Sequence, residues 1–294
     1  MYASDFTYHT PASLAEALTL LRDGGQNGGE VKVLAGGQSL LPLLKLRLTE
    51  VGTLVDMAKV PELRGIREEG DGLVLGAMTS YFEAIDSPLV QRRCPLIAQA
   101  VRQVGDPQVR ARGTIGGSLA HADPAGDLPA VALALDAHVR VQGPGGARSI
   151  PARGFFMDVL TTALQPAEVL TGVWFRATDA PHTGTAYAKH RHPASGYAVV
   201  GVAAVVALAD DGTCRDARVG VTGAGSHATH AASTEQALLG KPLDDATLTA
   251  ACATAADGLD LMGDTYASKD YRAHLTRVLA KRALQQAAEV ARSR

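Results

Sequence analysis

Two glycine pairs are the residues of this sequence best suited to bind a phosphate-bearing ligand. Gly36-Gly37 precedes Ser39, and Gly116-Gly117 precedes Ser118. Glycine has no Cβ, so its backbone N–H groups can approach a pyrophosphate closely, and nearby hydroxyls add further donors. Taken singly, each pair is also typical of a tight turn. Together, in different parts of the chain, they predict two loops that hold one anion from two sides.

Neither glycine pair belongs to a common nucleotide-binding motif. No Lys-Ser or Lys-Thr follows the glycines as in a P-loop, and neither loop has the Gly-x-Gly-x-x-Gly spacing of a Rossmann fold. Downstream of the second pair, Asp127 has two interpretations that its spacing does not separate. An exposed carboxylate there could accept hydrogen bonds from ribose or ribityl hydroxyls, or the residue could simply cap a helix.

The elements that must position these loops follow from the apolar patterns of the first half. Ser13 and Glu16 predict a capping box for a first helix, and Gly24-Gly25 is expected to end it. Residues 31–35 and 73–77 read as strands, and the first glycine pair comes directly after the former. Residues 105–129 form the longest turn-rich stretch, and residues 128–135 are expected to be helical.

The last third of the chain has a different pattern. Residues 198–209 form a continuous apolar run that predicts a buried strand, and a turn at residues 210–212 leads into a second strand. Helical patterns follow, and the last of them covers about residues 268–290. Strands followed by helices predict a C-terminal α+β domain, with a boundary in the polar stretch 178–185.

Composition excludes several classes of protein. The formal net charge of −2 lacks the basic footprint of a nucleic-acid binder. The three cysteines lie far apart, which fits neither a zinc site nor an iron–sulfur cluster and is typical of a reducing compartment. The longest apolar run is too short to span a bilayer, and the N-terminus has no secretory pattern. We therefore expect a cytoplasmic protein, or one that is membrane-peripheral through its partners.

The order of these motifs resembles the FAD-binding medium subunits of the carbon monoxide dehydrogenase and xanthine dehydrogenase group, the molybdenum hydroxylases. The resemblance rests on Ala35-Gly36-Gly37-Gln38-Ser39, on Thr114-Ile115-Gly116-Gly117-Ser118 and on the position of Asp127 after them, and it spans essentially the whole chain. It implies an α+β fold. A two-subdomain FAD-binding domain of the PCMH type, similar to that of vanillyl-alcohol oxidase, would precede a C-terminal domain with a three-stranded antiparallel sheet and helices.

Together with the break near residue 180, the resemblance implies domain limits. The FAD-binding domain would cover residues 1–178, with subdomains of about 1–57 and 58–178, and the C-terminal domain residues 179–294. It also implies that the two glycine loops contact the FAD pyrophosphate and that Asp127 contacts sugar or ribityl hydroxyls. Leu170 would make a backbone contact, while Lys189 and Tyr197 would lie near the isoalloxazine.

The complete set of expected cofactor contacts covers both glycine loops and four later positions. They are Leu34, Ala35, Gly36, Gly37, Gln38, Ser39, Leu40, Thr114, Ile115, Gly116, Gly117, Ser118, Asp127, Leu170, Lys189 and Tyr197. The sequence departs from the family at Gly196, where an aspartate is common, at Gln38, where many members have histidine, and at Ser118, where many have asparagine. From the general habit of lysine alone, Lys189 is also typical of a surface residue.

The resemblance implies an oxidoreductase in which no residue of this chain acts as a general base or nucleophile. Substrate would be hydroxylated at a molybdenum cofactor in a large subunit. Electrons would pass through [2Fe–2S] clusters of a small subunit to FAD here, and then to a quinone, O2 or NAD. The expected assembly is a dimer of heterotrimers. The segment of residues 40–48 and the final helix are the candidate surfaces for these partners.

Three other functions remain compatible with the residues alone. One is a stand-alone flavoprotein reductase that uses NAD(P)H. A second is metal-assisted hydrolysis at His121, Asp123 and Asp127, although a metal site needs three or four convergent ligands and these spacings look incidental. The third is a non-enzymatic ligand-binding protein.

Overall fold

The chain folds around three main sheets that follow one another in sequence. The structure, a computed structural model, describes residues 2–26 and 30–294. In the first block a short parallel sheet has the strand order β1–β3–β2. The elements of this block are β1 (Thr7–His9), α1 (Leu14–Gln26), β2 (Val31–Leu34), α2 (Leu40–Lys45) and β3 (Thr53–Asp56).

The second block is built on a five-stranded antiparallel sheet with the order β4–β5–β10–β6–β7. Six short helices separate its second and third strands in sequence. Its elements are β4 (Ile66–Glu69), β5 (Gly72–Gly76), α3 (Tyr81–Asp86), α4 (Pro88–Arg93), α5 (Pro95–Val101), α6 (Pro107–Arg112), α7 (Ile115–His121), α8 (Asp127–Ala134), β6 (His138–Gly143), β7 (Gly146–Pro151), β8 (Phe156–Asp158), β9 (Thr161–Thr162) and β10 (Val169–Arg176).

The third block is an antiparallel sheet with the order β11–β12–β13–β14, followed by three helices. Three of its strands are long, as the resemblance implied, and a two-residue strand adds a fourth at the edge. Its elements are β11 (Thr183–Arg191), β12 (Ala198–Leu208), β13 (Cys214–Thr222), β14 (Thr229–His230), α9 (Ala232–Leu238), α10 (Asp245–Cys252) and α11 (Lys269–Ser293).

Strand β12 is buried along its whole length because helices cover both faces of its sheet. Side chains alternate between the two faces of a strand. Accordingly, Ala203 and Val205 pack into the core that contains α8, whereas Val202 and Ala204 pack into the core that contains α11. The predicted buried strand and its hairpin are therefore confirmed. Helix α8 lies between the second and third blocks, and every one of its residues is buried.

Small residues allow the closest contacts between helices and strands. A Cβ on Gly184 of β11 would stand 2.0 Å from the carbonyl oxygen of Ala287 in α11, and one on Gly220 of β13 would stand 2.2 Å from that of Ala130 in α8. No larger side chain fits at such distances. These two glycines therefore set how tightly the third sheet packs between its helices.

Three sequence-based expectations about the elements were wrong. Helix α1 does not end at Gly24-Gly25 but continues to Gln26, because Gly24 serves a close contact, with its Cβ position 2.7 Å from a methyl group of Val31. The turn-rich residues 105–129 contain helices α6 and α7. The Glu16 carboxylate accepts a hydrogen bond from the amide of Ala12, not of Ser13, so the capping box is incomplete although Ser13 does accept from Glu16.

The apolar residues of the final helix do not form a surface for a partner. Leu275 and Leu279 are buried against the third sheet, whereas Tyr271 and Val278 are exposed. The apolar stripe of α11 is thus core, which leaves residues 40–48 as the better candidate for a partner surface. No helix within the described ranges combines the length and the apolar character needed to cross a membrane.

Candidate functional site

The first glycine loop links β2 to α2 and presents free backbone donors. Gly37 adopts a positive φ of 75°, which side-chain-bearing residues rarely accept. Among the residues that the structure describes, the amide N–H groups of residues 36–39 donate no hydrogen bond. Four consecutive amides without protein partners are a suitable cradle for an anion.

Gly36 is required by a close approach of two chain segments. A Cβ at this position would stand 2.1 Å from the carbonyl oxygen of Arg112 and 2.9 Å from the Cα of Gly113. Residues 112–113 lead directly into the second glycine loop. The packing of Gly36 therefore holds the first loop against the start of the second.

The second glycine loop forms the N-terminal turn of α7, and its amides are bonded within the protein. The N–H of Ile115 donates to the carbonyl of Thr79 at 2.9 Å, and that of Gly116 donates to Ala77 at 2.9 Å. The amide of Gly117 donates to the hydroxyl of Thr114, the N-cap residue, at 3.1 Å. The amide of Ser118 donates to the carbonyl of Thr114. The glycines of this loop thus serve packing, since a Cβ on Gly116 would stand 2.6 Å from that of Ala77.

The two loops lie side by side. A Cβ on Gly117 would stand 3.2 Å from the Cβ of Ala35 and 2.7 Å from the Thr114 hydroxyl. The flanking positions Leu34 and Leu40 are the last residue of β2 and the first of α2. Leu170 lies in β10, next to Thr171, whose carbonyl accepts from Ala77. The structure therefore brings together both predicted loops and places Leu170 close to the second loop.

Tyr197 connects the third block to the first glycine loop. It is 43% exposed, and burial together with Asp123 raises its pKa while a hydrogen bond with Ser39 lowers it. The preceding residue, Gly196, has a φ of 74°, and its Cβ position lies 2.8 Å from the guanidinium of Arg191. A side chain at this position would therefore be strained and would meet that guanidinium.

Asp127 is buried, contrary to the interpretation that it is an exposed carboxylate. It accepts hydrogen bonds from the Tyr187 hydroxyl at 2.5 Å and from the Lys189 ammonium, whose Nζ lies 2.8 Å from Oδ1 and 2.9 Å from Oδ2. Burial raises the pKa of Asp127, and the charge of Lys189 opposes that shift. Asp127 is the first residue of α8 rather than its cap, since Gly126 occupies the N-cap position.

Lys189 is not a surface residue, because its side chain is only 1% exposed. Its ammonium also donates to the carbonyl of Gln103 at 3.2 Å. Tyr187 was missed in the sequence analysis, although a signal existed: it precedes Lys189 by two residues in a strand, so both side chains point to the same face. Tyr81 was missed too; burial raises its pKa to about 12, and Ser118 opposes that shift.

The remaining polar clusters do not compete with this site. His121 Nε2 and Asp123 Oδ2 are 4.0 Å apart, and the described ranges hold no group of three or more His, Cys, Asp or Glu residues arranged to bind a metal ion. An open groove of about 490 Å³ lies between α9 and α10 and includes Lys241 and Thr254. It contains none of the predicted cofactor contacts.

Comparisons with known proteins agree with this geometry. Residues 4–175 match the FAD binding domain in molybdopterin dehydrogenase, and residues 185–287 match the CO dehydrogenase flavoprotein C-terminal domain. The carbon monoxide dehydrogenase medium chain of Hydrogenophaga pseudoflava is 42% identical over 95% of this chain and 96% of its own. The 6-hydroxypseudooxynicotine dehydrogenase complex subunit alpha of Paenarthrobacter nicotinovorans is 36% identical over 99% and 97%.

Solved structures give the same result. A chain of the reconstituted CO dehydrogenase from Oligotropha carboxidovorans superimposes with a TM-score of 0.93 at 34% identity, covering 99% of this chain and 100% of that one. The chain therefore belongs to the family of FAD-binding medium subunits of the molybdenum hydroxylases. The predicted family, fold class, cofactor and oxidoreductase class are confirmed, and a stand-alone reductase is not favoured.

Proposed function

We propose that this subunit binds FAD where the two glycine loops meet, and that it passes electrons from a partner's iron–sulfur clusters to an external acceptor. The observation that supports this most is the row of amides at residues 36–39, beside the second loop, which donate no hydrogen bond within the described part of the chain. An FAD pyrophosphate needs several donors at close range, and this row supplies them. When bound, FAD supplies the redox chemistry, and the protein supplies binding, orientation and electrostatics.

Each group of candidate residues has its own role in the proposed site. The amides of Gly36, Gly37, Gln38 and Ser39 donate to phosphate oxygens. Thr114 to Ser118 shape the other wall and offer the Ser118 hydroxyl. Leu170 lines the site through its backbone, and Tyr197 lies against its flavin end.

We assign the pair Asp127–Lys189 to the sugar and flavin end of the proposed site. Each Asp127 oxygen already accepts from Lys189, and the ammonium is shared with the carbonyl of Gln103. The Tyr187 hydroxyl donates to Oδ1 as well, so of the about four lone-pair positions of a carboxylate one remains for a sugar or ribityl hydroxyl. Lys189, with three donors largely in use, acts on the flavin end chiefly through its positive charge.

The partners follow from what this chain cannot hold. A [2Fe–2S] cluster takes four protein ligands, usually cysteines, and the chain has three cysteines in all, each of them buried. We therefore assign the clusters to a small subunit and the molybdenum cofactor to a large one, in a dimer of heterotrimers. Relatives named for carbon monoxide and for a nicotine derivative share this fold, so the substrate class is set by the large subunit. The acceptor is a quinone, O2 or NAD.

An exposed apolar surface on α2 and the turn after it is the proposed contact for these partners. Leu41, Leu46 and Leu48 are 37%, 50% and 69% exposed. They lie directly after the first glycine loop, so a partner bound there would be close to the cofactor. We further propose domain limits at residues 1–178 and 179–294, with subdomains of about 1–57 and 58–178, supported by the change of sheet near each limit. We place the assembly in the cytoplasm or, through its partners, at a membrane surface.

The test is FAD binding by charge-matched variants. Gln38→Glu adds one negative charge to the exposed first loop without changing side-chain size, whereas Gln286→Glu adds the same charge on the exposed face of α11. Repulsion from the pyrophosphate should weaken FAD binding about tenfold in the first variant. The second should bind like the unaltered protein. The measurement is a titration with FAD, followed by the visible absorption of oxidised flavin.

Two results would contradict the proposal. If the two glutamate variants bound FAD with equal affinity, the first loop would not be part of the pyrophosphate site. If the complex purified from its native host with its partner subunits were colourless, it would contain no oxidised flavin and the proposal would be wrong.

A further inference from the structure

The turn between β11 and β12 closes on itself around His192. The backbone N–H of His192 donates to the carbonyl of Tyr197 at 2.8 Å, and the N–H of Gly196 donates to the carbonyl of His192 at 2.9 Å. Pro193 follows immediately and restricts the backbone at the start of the turn. Tyr197 thus leaves the turn in a direction that these two hydrogen bonds help to fix.

The imidazole of His192 adds two further hydrogen bonds inside the same turn. Its Nδ1 lies 3.3 Å from the amide nitrogens of both Ala194 and Ser195. Since both amides are donors, Nδ1 must be the unprotonated nitrogen that accepts. Asparagine and aspartate use a side-chain oxygen in the same way when they accept from amides a few residues ahead. The imidazole Nδ1 therefore accepts the hydrogen bonds that a side-chain oxygen accepts in such turns.

The outer face of the imidazole is also held. The ring packs against Tyr266, with 4.5 Å between centroids and an interplanar angle of 59°. Tyr266 belongs to the loop before α11. In that loop Asp264 accepts a hydrogen bond from Arg272, whose guanidinium also donates to the carbonyls of Val199 and Gly223 in the sheet at 2.6 Å. His192 is consequently fixed to the third block on one side and fixes the turn on the other.

The turn carries Tyr197 to the first glycine loop. Ser195 accepts from the amide of Tyr197 at 3.4 Å, so the residue whose amide His192 binds also contacts Tyr197. The Tyr197 hydroxyl is close enough to Ser39, in a different block of the chain, for that side chain to lower its pKa. One side chain in the third block, His192, thus organises the contact between that block and the anion-binding loop.

We propose that His192 is a positioning residue that, through its unprotonated Nδ1, holds Tyr197 in place at the flavin end of the cofactor site. This inference rests on the proposed FAD site. Within the described residues, the hydrogen bonds of the His192 side chain go to its own turn and its aromatic contact is with Tyr266, so it acts through the turn of residues 192–197. The imidazole acceptor carries this role, and the packing of the ring on Tyr266 is secondary.

Two substitutions separate the acceptor from the ring. His192→Phe keeps an aromatic ring against Tyr266 but removes the acceptor. His192→Asn loses the ring but keeps an oxygen able to accept from the amides of Ala194 and Ser195. FAD affinity, measured by titrating the full chain or the assembled complex, should fall about tenfold in His192→Phe, since two hydrogen bonds are lost. It should recover to within about threefold of the unaltered protein in His192→Asn.

A double-mutant cycle tests whether His192 acts through Tyr197. In a Tyr197→Ala background, His192→Phe should cause no further loss of FAD affinity, because the residue that it positions is gone. Thermal unfolding of each variant accompanies the titrations. The amides freed in His192→Phe lie on the exposed part of the turn and can bind water, so the melting temperature should change little.

The outcomes distinguish this inference from the proposed FAD site. If the unaltered complex binds no FAD, the proposed site itself is wrong, and this inference is wrong with it. If it binds FAD and His192→Phe binds equally well, only the role of His192 is overturned. The same holds if His192→Asn is no better than His192→Phe, or if the effects of His192 and Tyr197 add independently.

Discussion

The two glycine loops look alike in sequence and differ in what their backbones do. In the first loop the amides of residues 36–39 have no acceptor within the described ranges. In the second, the amides of Ile115, Gly116, Gly117 and Ser118 are all bonded to protein oxygens. The first loop is a donor surface open to a ligand, while the second is a rigid wall that keeps the first in place.

The same contrast extends to the residues that follow each loop. After the first come leucines exposed to solvent. After the second comes Asp127, whose carboxylate is buried and bonded to Tyr187 and Lys189. A glycine pair near a serine therefore does not identify a phosphate loop by itself, because the motif can equally serve close packing. The deciding observation is whether its amides already have partners.

The largest expected effect on stability is at the buried pair Asp127–Lys189. Lys189→Met should leave the Asp127 carboxylate buried without its counter-charge, which destabilises a protein by about 3–5 kcal/mol. Chemical denaturation would measure the loss. The exposed pair Lys281–Asp245, at 2.7 Å, provides a matched control, and Lys281→Met should cost less than about 1 kcal/mol.

A double variant provides a second test of the same pair. Lys189→Met combined with Asp127→Leu removes both charges and should recover much of the lost stability, because no isolated charge remains. If Lys189→Met lowered the free energy of unfolding no more than Lys281→Met does, the buried region would not depend on the Asp127–Lys189 pair. The contrast between the surroundings of the two loops would then be weaker.

An intermediate effect is expected at Gly116. The added methyl of Gly116→Ala would meet the backbone and Cβ of Ala77 at 2.6–2.8 Å, and overpacking of this kind costs about 2 kcal/mol. Because the Gly116 amide already has a protein acceptor, FAD affinity of the folded variant should stay within about threefold of the original. Gly145→Ala is the control, since its Cβ position has no neighbour within 4 Å. A strong loss of FAD affinity with unchanged stability would make the second loop a ligand-binding loop after all.

The smallest effect on stability is expected at Gly37. Its φ of 75° makes alanine unfavourable by about 1 kcal/mol, and the nearest obstacle is the flexible end of Leu41, 2.8 Å away. FAD affinity should nevertheless fall by about tenfold or more, since a strained loop misdirects donors to a charged group. Denaturation and FAD titration of Gly37→Ala together would show this pattern, opposite to that of Gly116→Ala. If Gly37→Ala and Gly116→Ala changed stability and FAD affinity in the same way, the proposed difference between the two loops would be wrong.

The sequence was most informative where the signal is local. The strand before the first loop, the buried run of β12 and the turn at residues 210–212 follow from apolar patterning and turn residues, and the structure has them. The pairing of Asp127 with Lys189 could not be predicted, because 62 positions separate the two residues and no local pattern links them. Gly24 was mistaken for a helix end, since sequence does not distinguish a glycine that stops a helix from one that lets a strand approach it.

Helix α8 has a consequence for how the molecule folds. All eight of its residues are buried, with the helices of the second block on one side and the sheet of the third block on the other. Separating the two family segments would expose this almost entirely apolar helix to water, at a cost that neither segment could recover alone. We therefore expect the two segments to unfold in one cooperative transition, because the apolar side chains of α8 depend on the C-terminal sheet for their burial.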